Sequence, residues 1–321
     1  MAEQGAAGGL AVAASGRDKW FRRALFIPTL AFLIIMAIVP LFGSLGIGLT
    51  DAVIAGPPPK FVWFRNYGDL LGGVRNQEFW LATDVTLKIM VAALILEIGL
   101  GILIALALHE KLPGMGLFRL IIFLPMMLAP LVAGLFWRLL LDQTFGIVDY
   151  FITQLGFKPV FWLTGINEVI PGLKLVLISI IIVDVWMWTP FVVLLVLAGL
   201  GTIPTDLLEA ASLDRASAWM KFRHIYWPYL RFPLLLALLF RSIDTLKMFD
   251  IPYILTGGGP GDFTTTLTFL GYRYLLFFAK IGLAAAISWI VVIIINIVTN
   301  IAVQFLMPKK PVVEEIVDTG L

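Results

Sequence analysis

The sequence predicts an all-α polytopic membrane protein with six transmembrane helices and both termini in the cytoplasm (N-in/C-in). Three observations support this class. The chain is 60% hydrophobic and only 14% charged, with a mean hydropathy of +0.98, whereas soluble domains carry roughly 25% charged residues. The apolar residues are gathered into six long segments. Lys and Arg are distributed unevenly between the connecting loops.

Each apolar segment is long enough to cross a bilayer as a helix, which takes about 20 residues. The first is too long for a cleaved signal peptide, and no small-residue cleavage site follows it. Residues 1–23 are expected to form a disordered cytoplasmic tail, 24–80 the first span with a periplasmic loop, 81–307 a five-helix core, and 308–321 a cytoplasmic tail. The six spans are predicted at 24–49, 83–108, 119–141, 175–200, 233–255 and 281–306.

The orientation follows from the basic residues, which accumulate on the cytoplasmic side of membrane proteins. With the N-terminus inside, the inner segments hold twelve Lys and Arg residues and the outer segments hold seven. The outer segments are also the longer ones. An even number of spans agrees with this N-in and C-in arrangement.

Catalytic chemistry has no support in the sequence. There is no cysteine, and the two histidines, His109 and His224, fall in predicted cytoplasmic loops. No nucleophile–base set, metal cluster or phosphate-binding Gly-x-x-x-x-Gly-Lys-Ser/Thr sequence is visible. The net charge of +2 indicates no nucleic-acid partner. We therefore expect a non-catalytic chain that binds no metal or cofactor, so that any ATP would be hydrolysed by another chain.

The inner loop at 201–232 is long, polar and helical in character. Thr205 or Asp206 can cap a first helix. A second helix is predicted from Ala216 to Tyr226, ending before Pro228. Trp219, Phe222, Ile225 and Tyr226 would give this second helix one largely aromatic face. The loop is either a docking element for a soluble partner or an amphipathic segment lying on the bilayer surface.

The same loop resembles the EAA motif of permease subunits of bacterial ABC importers, in the form typical of the carbohydrate uptake transporter-1 branch. Three further segments resemble that branch: 117–125, 132–138 and 255–260. The resemblance covers roughly residues 25–307. The motif positions that match are Glu209, Ala210, Ala211, Asp214, Ala216, Phe222, Ile225 and Pro228.

This resemblance implies a type I ABC importer permease fold in the bacterial inner membrane. It implies a second homologous permease, two cytoplasmic ATP-binding subunits that use ATP and Mg, and a periplasmic or lipid-anchored solute-binding protein. The EAA helix of such a permease sits in a cleft of the ATPase. Glu209 would then form an ion pair there, and Ala210, Ala211 and Ala216 would allow close seating.

Two positions depart from the family pattern. Arg215 stands where the family has glycine, which reaches positive φ at little cost. Arginine there implies either a turn in ordinary α or β space or modest strain. Phe232 stands where a second proline is usual, and Pro233 follows it. We interpret both as changes of loop geometry that keep the docking role.

Ionisable and amide side chains inside the spans are candidates for a solute pathway, because such residues are costly in lipid. Sugar recognition uses carboxylates and amides for hydroxyls and aromatic rings for C–H faces. An alternative is that the charges neutralise one another and hold helices together, and the pocket could also lie largely on the second permease. The candidates are Asp184 and Trp188 in span four, Asp244 and Lys247 in span five, and Asn296 and Asn300 in span six.

The leading hypothesis is a permease subunit of an ATP-driven importer for a sugar, polyol or sugar derivative. The alternative is a stand-alone secondary carrier or channel that uses its intramembrane charges as an ion relay. That alternative leaves the 201–232 loop unexplained, and carriers commonly have a repeated half, which is not evident here.

Overall fold

The computed structural model describes residues 16–109 and 114–306; the expected tail at 308–321 and residues 1–15 of the expected tail at 1–23 lie outside this range. Fourteen helices, α1 to α14, and one two-stranded sheet, β1–β2, follow one another in the described chain: α1 Gly16–Leu33, α2 Val39–Gly48, α3 Arg65–Leu71, α4 Asn76–His109, α5 Met115–Phe123, α6 Pro130–Leu140, α7 Ile147–Gln154, β1 Glu168–Ile170, β2 Leu173–Lys174, α8 Leu175–Leu200, α9 Thr205–Leu213, α10 Ala218–Lys221, α11 Trp227–Leu246, α12 Asp250–Thr256, α13 Leu267–Tyr272 and α14 Ile281–Leu306.

Four helical stretches in the described residues are long and apolar enough to cross a membrane. They correspond to the first, second, fourth and sixth predicted spans: Ala24–Gly48, Asn76–His109, Leu175–Leu200 and Ile281–Gln304. Five-residue π-helical turns at Ile34–Ile38 and Phe222–Tyr226 connect neighbouring helices, and a third at Arg273–Phe277 extends α13. The third and fifth predicted spans differ from expectation.

The third predicted span, 119–141, is not one helix. It consists of α5, a short 3₁₀ turn at Pro125–Met127, and α6, which begins at Pro130. Ala129 has an extended backbone, with φ −66° and ψ 139°, because proline disfavours the α conformation in the residue before it. Pro130 itself fits the first turn of a helix, where its missing N–H has no partner to lose. The expectation of a continuous helix was therefore wrong.

The fifth predicted span, 233–255, is also divided. Helix α11 ends at Leu246 and α12 begins at Asp250. A helix continuing through Pro252 would drive the proline ring against the carbonyl of Met248. The chain instead leaves the helix at Lys247 and restarts in time to hold Pro252 within the first turn of α12.

The core is built on α4, α8 and α11, with α14 packed against α11. Helices α4 and α8 approach closely at Gly101, where a Cβ would lie 2.5 Å from Val192 Cγ1. Ala105, one turn further along α4, is fully buried in the same contact region. Gly101 and Ala105 therefore form a small-residue pair that lets the two helices pack closely. The first span is less buried than these helices, because its residues 25–43 are exposed. Near its end, the Trp289 indole of α14 donates a hydrogen bond to Ser44 Oγ at 3.1 Å.

Candidate functional site

Arg241 of α11 lies at the centre of a buried charge network. Its Nε and Nη2 donate to the two carboxylate oxygens of Glu97, at 2.7 and 2.8 Å. Nη2 also donates to Asp184 Oδ2 at 2.7 Å, and Nη1 to Asp244 Oδ2 at 2.6 Å. The planar guanidinium, with five N–H donors, is suited to such multiple bonding. One side chain therefore joins α4, α8 and α11 within the apolar core.

The Trp188 indole covers this network from α8. Its ring centroid lies 4.8 Å from Arg241 Cζ, within the range of a cation–π contact. Asp184 and Trp188 are four residues apart, which places them on one helix face, and both border the same cavity. Asp184 and Trp188 are thus brought together, as the helical spacing predicted.

A cavity of about 80 Å³ adjoins the network where α11 ends. The irregular backbone between α11 and α12, at Lys247–Phe249, borders this cavity. Irregular backbone is tolerated in a membrane protein where it lines a cavity. Four of the six predicted pathway residues line the cavity, whose full lining is Pro130, Asp184, Trp188, Asp244, Lys247, Met248, Phe249, Asp250 and Ile251.

The two cavity carboxylates differ in exposure. The Asp184 side chain is 1% exposed, whereas that of Asp244 is 46% exposed. Asp184 Oδ1 is buried without a hydrogen-bond partner within residues 16–109 and 114–306. The site can therefore offer acceptor oxygens to a hydroxyl-bearing ligand.

The charged residues of span five, Arg241, Asp244, Lys247 and Asp250, are only partly paired with one another. Arg241 pairs with Asp244, three residues on. Among the ion pairs of the described chain, none joins Lys247 to Asp244 or Asp250. The helix break at Lys247 removes the regular spacing on which such pairing depends.

Asn296 and Asn300 lie elsewhere. Both side chains are exposed on α14, and their Nδ2 atoms donate to backbone carbonyls one turn back, Val292 O and Asn296 O, each at 2.8 Å. They do not border the cavity. Glu97 and Arg241 were not among the predicted pathway residues, although their depth in the spans and their opposite charges were a usable signal.

The 201–232 loop consists of two short helices and a tight turn. Helix α9 ends at the C-cap Asp214; the Arg215 N–H donates to Ser212 O at 3.1 Å and the Ala216 N–H to Ala211 O at 2.9 Å. These two bonds define a Schellman motif. Arg215 occupies the left-handed position of this motif, with φ +50°. Of the two geometries expected at Arg215, an ordinary turn or modest strain, the loop therefore has the strained one.

The helix boundaries in this loop differ from expectation in two ways. Helix α9 begins at Thr205 itself, with Pro204 as N-cap and no side-chain cap. The second helix begins at Ala218, capped by Ser217 Oγ, and does not end before Pro228. It continues through the π-helical turn at Phe222–Tyr226 into α11, and Pro228 lies in the first turn of α11, where a missing N–H is tolerated.

The loop has an anchored side and an open side. Leu208, Phe222, Ile225 and Tyr226 pack against the buried cluster that contains Ala105, Leu200 and Leu230. Lys221 Nζ donates to Ser212 Oγ at 3.0 Å and ties the two short helices together. The open side carries exposed Glu209, Ala210, Asp214, Arg215 and Pro228, while Ala211 and Ala216 are half-buried. One side of the 201–232 loop is thus fixed by packing against the core, and the other side exposes polar residues of α9.

Two ionisable groups on the predicted outer side tie loops in place. Backbone N–H groups of Phe145 and Thr144 donate to Asp142 Oδ1, at 3.0 and 2.8 Å, and hold the pKa of Asp142 below its usual range. Burial, followed by a 2.7 Å hydrogen bond to Glu78, raises the pKa of the Tyr274 hydroxyl. Within the part of the chain that the structure describes, no cluster of acidic and histidine side chains could hold a metal ion.

Long apolar helices, a polar cavity between them and a firmly seated helical loop define the class of the protein: a polytopic membrane protein built to pass a small solute. The chain belongs to the family of binding-protein-dependent transport system inner membrane components, whose sequence model matches residues 97–310. It is therefore an inner membrane permease subunit of an ABC transporter, distinct from the subunits that hydrolyse ATP.

Two relatives span most of the chain. A probable ABC transporter permease protein of Sinorhizobium fredii is 40% identical, over 86% of this chain and 85% of its own. The trehalose/maltose transport system permease protein MalF of Thermococcus litoralis is 38% identical, over 82% of this chain and 86% of its own. Among solved structures, the chain is similar to one from a bacterial alginate ABC transporter in complex with a periplasmic protein, with a TM-score of 0.76, 20% identity, and coverage of 90% and 94%. That likeness supports the type I permease fold.

Proposed function

We propose that this chain forms one half of the pathway by which an ATP-driven importer moves a sugar, polyol or sugar derivative across the inner membrane. Family membership and relatives named for trehalose and maltose transport support the solute class. The observation that carries the proposal is the continuity of the chain from the 201–232 loop, through α11, to the polar cavity. That arrangement suits alternating access driven from the loop.

The solute would contact Asp244, Trp188 and Lys247, with Asp184 beneath them. Carboxylate oxygens accept bonds from sugar hydroxyls, an ammonium donates to them, and an indole ring covers their C–H faces. The cavity of about 80 Å³ is smaller than pockets for small molecules, which are about 300–1,000 Å³. A second homologous permease would therefore supply the rest of the pocket. Asn296 and Asn300, which are exposed on α14, remain candidates for the part of the pathway shared with the second permease.

The 201–232 loop would dock into a cytoplasmic ATP-binding subunit, with one such subunit for each permease. Glu209 is exposed on α9, on the side of the loop that does not pack on the core. It would pair with a basic residue of the ATPase, which binds the ATP and Mg. On the outer face, a periplasmic or lipid-anchored solute-binding protein would deliver the solute to the loops near 142–165.

The test is uptake by the complete complex in proteoliposomes, with binding protein outside and ATP inside. Asp244→Asn should lower uptake of the solute about tenfold, while the matched variant Asp84→Asn, a carboxylate of α4 away from the cavity, should transport normally. Uptake that proceeds without ATP would favour the carrier or channel hypothesis. Normal uptake by the Asp244→Asn complex would contradict the solute role of this cavity.

A further inference from the structure

The buried guanidinium of Arg241 connects three helices and also touches three side chains of the candidate solute cavity, Asp184, Trp188 and Asp244. We propose that Arg241 is a positioning residue for solute: it holds the Asp244 carboxylate and the Trp188 indole in the orientation that receives the solute, using Glu97 and Asp184 as its fixed supports. This inference rests on the proposed function of the cavity and assigns a role to a residue outside its lining.

The network has a buried end, formed by Glu97 and Asp184, and an end that is open to the cavity, formed by Asp244. Glu97 and Asp184 are 0% and 1% exposed, and Arg241 itself is 2% exposed. Both oxygens of Glu97 are engaged by Arg241. Paired carboxylates at this depth cannot reorient without leaving a charge unpaired in the core. The guanidinium is therefore held rigidly from the α4 and α8 sides.

Asp244 forms the end of the network that is open to the cavity. Only its Oδ2 accepts from Arg241, and its side chain is 46% exposed at the cavity. Oδ1 makes no hydrogen bond within the described chain, so it is free to accept a bond from a ligand. Arg241 thus fixes one oxygen and, through it, the direction in which the other points.

Trp188 is oriented by the same group. The indole lies over the guanidinium at 4.8 Å, and the Phe191 ring meets it edge-on with centroids 6.5 Å apart. A planar cation stacks on an aromatic face, whereas a compact ammonium does not match that shape. Lysine at 241 would keep the positive charge but could neither bond three carboxylates in one plane nor stack on Trp188.

Removing Arg241 alone would leave Glu97 and Asp184 as unpaired buried charges, so Arg241→Ala tests folding rather than positioning. Two other variants leave fewer unpaired charges. Arg241→Lys keeps the charge, and Arg241→Gln combined with Glu97→Gln removes one charge of each sign. Arg138→Lys is the matched control, because that arginine bonds the Ile254 carbonyl at 3.0 Å outside the cavity lining.

The experiment is a double-mutant cycle on uptake by the complete complex, using Arg241→Lys, Asp244→Asn and the two together. Positioning predicts that each single change lowers uptake about tenfold and that the double variant is no worse than either, a coupling of about tenfold. Copurification with the ATP-binding subunits should be retained by Arg241→Lys and by the Gln–Gln pair. Arg138→Lys should transport as the unmodified complex does.

Additive losses, a total of about a hundredfold in the double variant, would overturn the positioning role. So would normal uptake by Arg241→Lys, or loss of assembly in both Arg241 variants, which would make the residue structural only. Normal uptake by Asp244→Asn would instead contradict the proposed function of the cavity, so the two failures are distinguishable.

Discussion

Phe222 of the 201–232 loop and Asp244 of the cavity lie on one uninterrupted helical segment, which runs from Ala218 through the π-helical turn to Leu246. At 1.5 Å per residue, the 22 residue steps from Phe222 to Asp244 span about 33 Å. We expect displacement of the loop by a partner to be passed along this segment to the cavity carboxylate.

Replacing Glu209 by lysine is expected to weaken the association with the ATP-binding subunit at least tenfold and to lower uptake correspondingly, because a carboxylate that pairs with a basic residue becomes a like charge. Pull-down of the ATPase by tagged permease measures the association. Glu168→Lys, an exposed carboxylate of the β1–β2 hairpin, is the charge-matched control. Equal pull-down of the ATPase by the Glu209→Lys and Glu168→Lys variants would contradict the coupling role of Glu209.

Replacing Asp184 by asparagine is expected to change uptake and leave assembly intact. The amide oxygen can still accept from Arg241 Nη2, but the charge is lost and an NH₂ group takes the place of one carboxylate oxygen. Uptake kinetics with saturating binding protein give the maximal rate and KM. If neither changes, Asp184 has no part in the pathway.

Replacing Arg215 by glycine is expected to stabilise the turn after α9 by about 1 kcal/mol, because glycine adopts positive φ without the Cβ penalty. Thermal unfolding of the purified complex should show an equal or higher midpoint. The control Arg215→Val should lower the midpoint, since a β-branched residue is least tolerated there. Loss of assembly by the glycine variant would mean that the arginine makes a required contact with a partner.

Replacing Gly101 by alanine is expected to destabilise the protein by about 1–3 kcal/mol through overpacking, because the new methyl would lie 2.5 Å from Val192 Cγ1. Gly99→Ala, on the same helix with nothing within 4 Å, should be neutral or stabilising. Combining Gly101→Ala with Val192→Ala should restore much of the loss. Equal thermal midpoints for the two glycine variants would contradict the close α4–α8 contact.

Much of this molecule could be predicted from local sequence. The apolar segments, the helical 201–232 loop and the face shared by Asp184 and Trp188 follow from hydropathy and the helical repeat, which depend on neighbouring residues only. The breaks at Pro130 and before Pro252 also had local signals, but long apolar runs outweighed them in the prediction. Proline geometry decided those boundaries.

The charge network could not be predicted in the same way. Glu97 and Arg241 are 144 residues apart in the chain, and which intramembrane charges meet depends on how α4, α8 and α11 rotate and approach. The same packing leaves Asn296 and Asn300 on an exposed face and away from the cavity.

The sequence by itself determined the class of the protein, four of the six predicted spans and the loop that resembles an ATPase-docking motif, because hydropathy and a contiguous motif are properties of short stretches of chain. Only the tertiary structure decided that Arg241 gathers carboxylates from three helices beside the cavity. Burial makes an unpaired charge costly, so the helices pack where one guanidinium can engage all three.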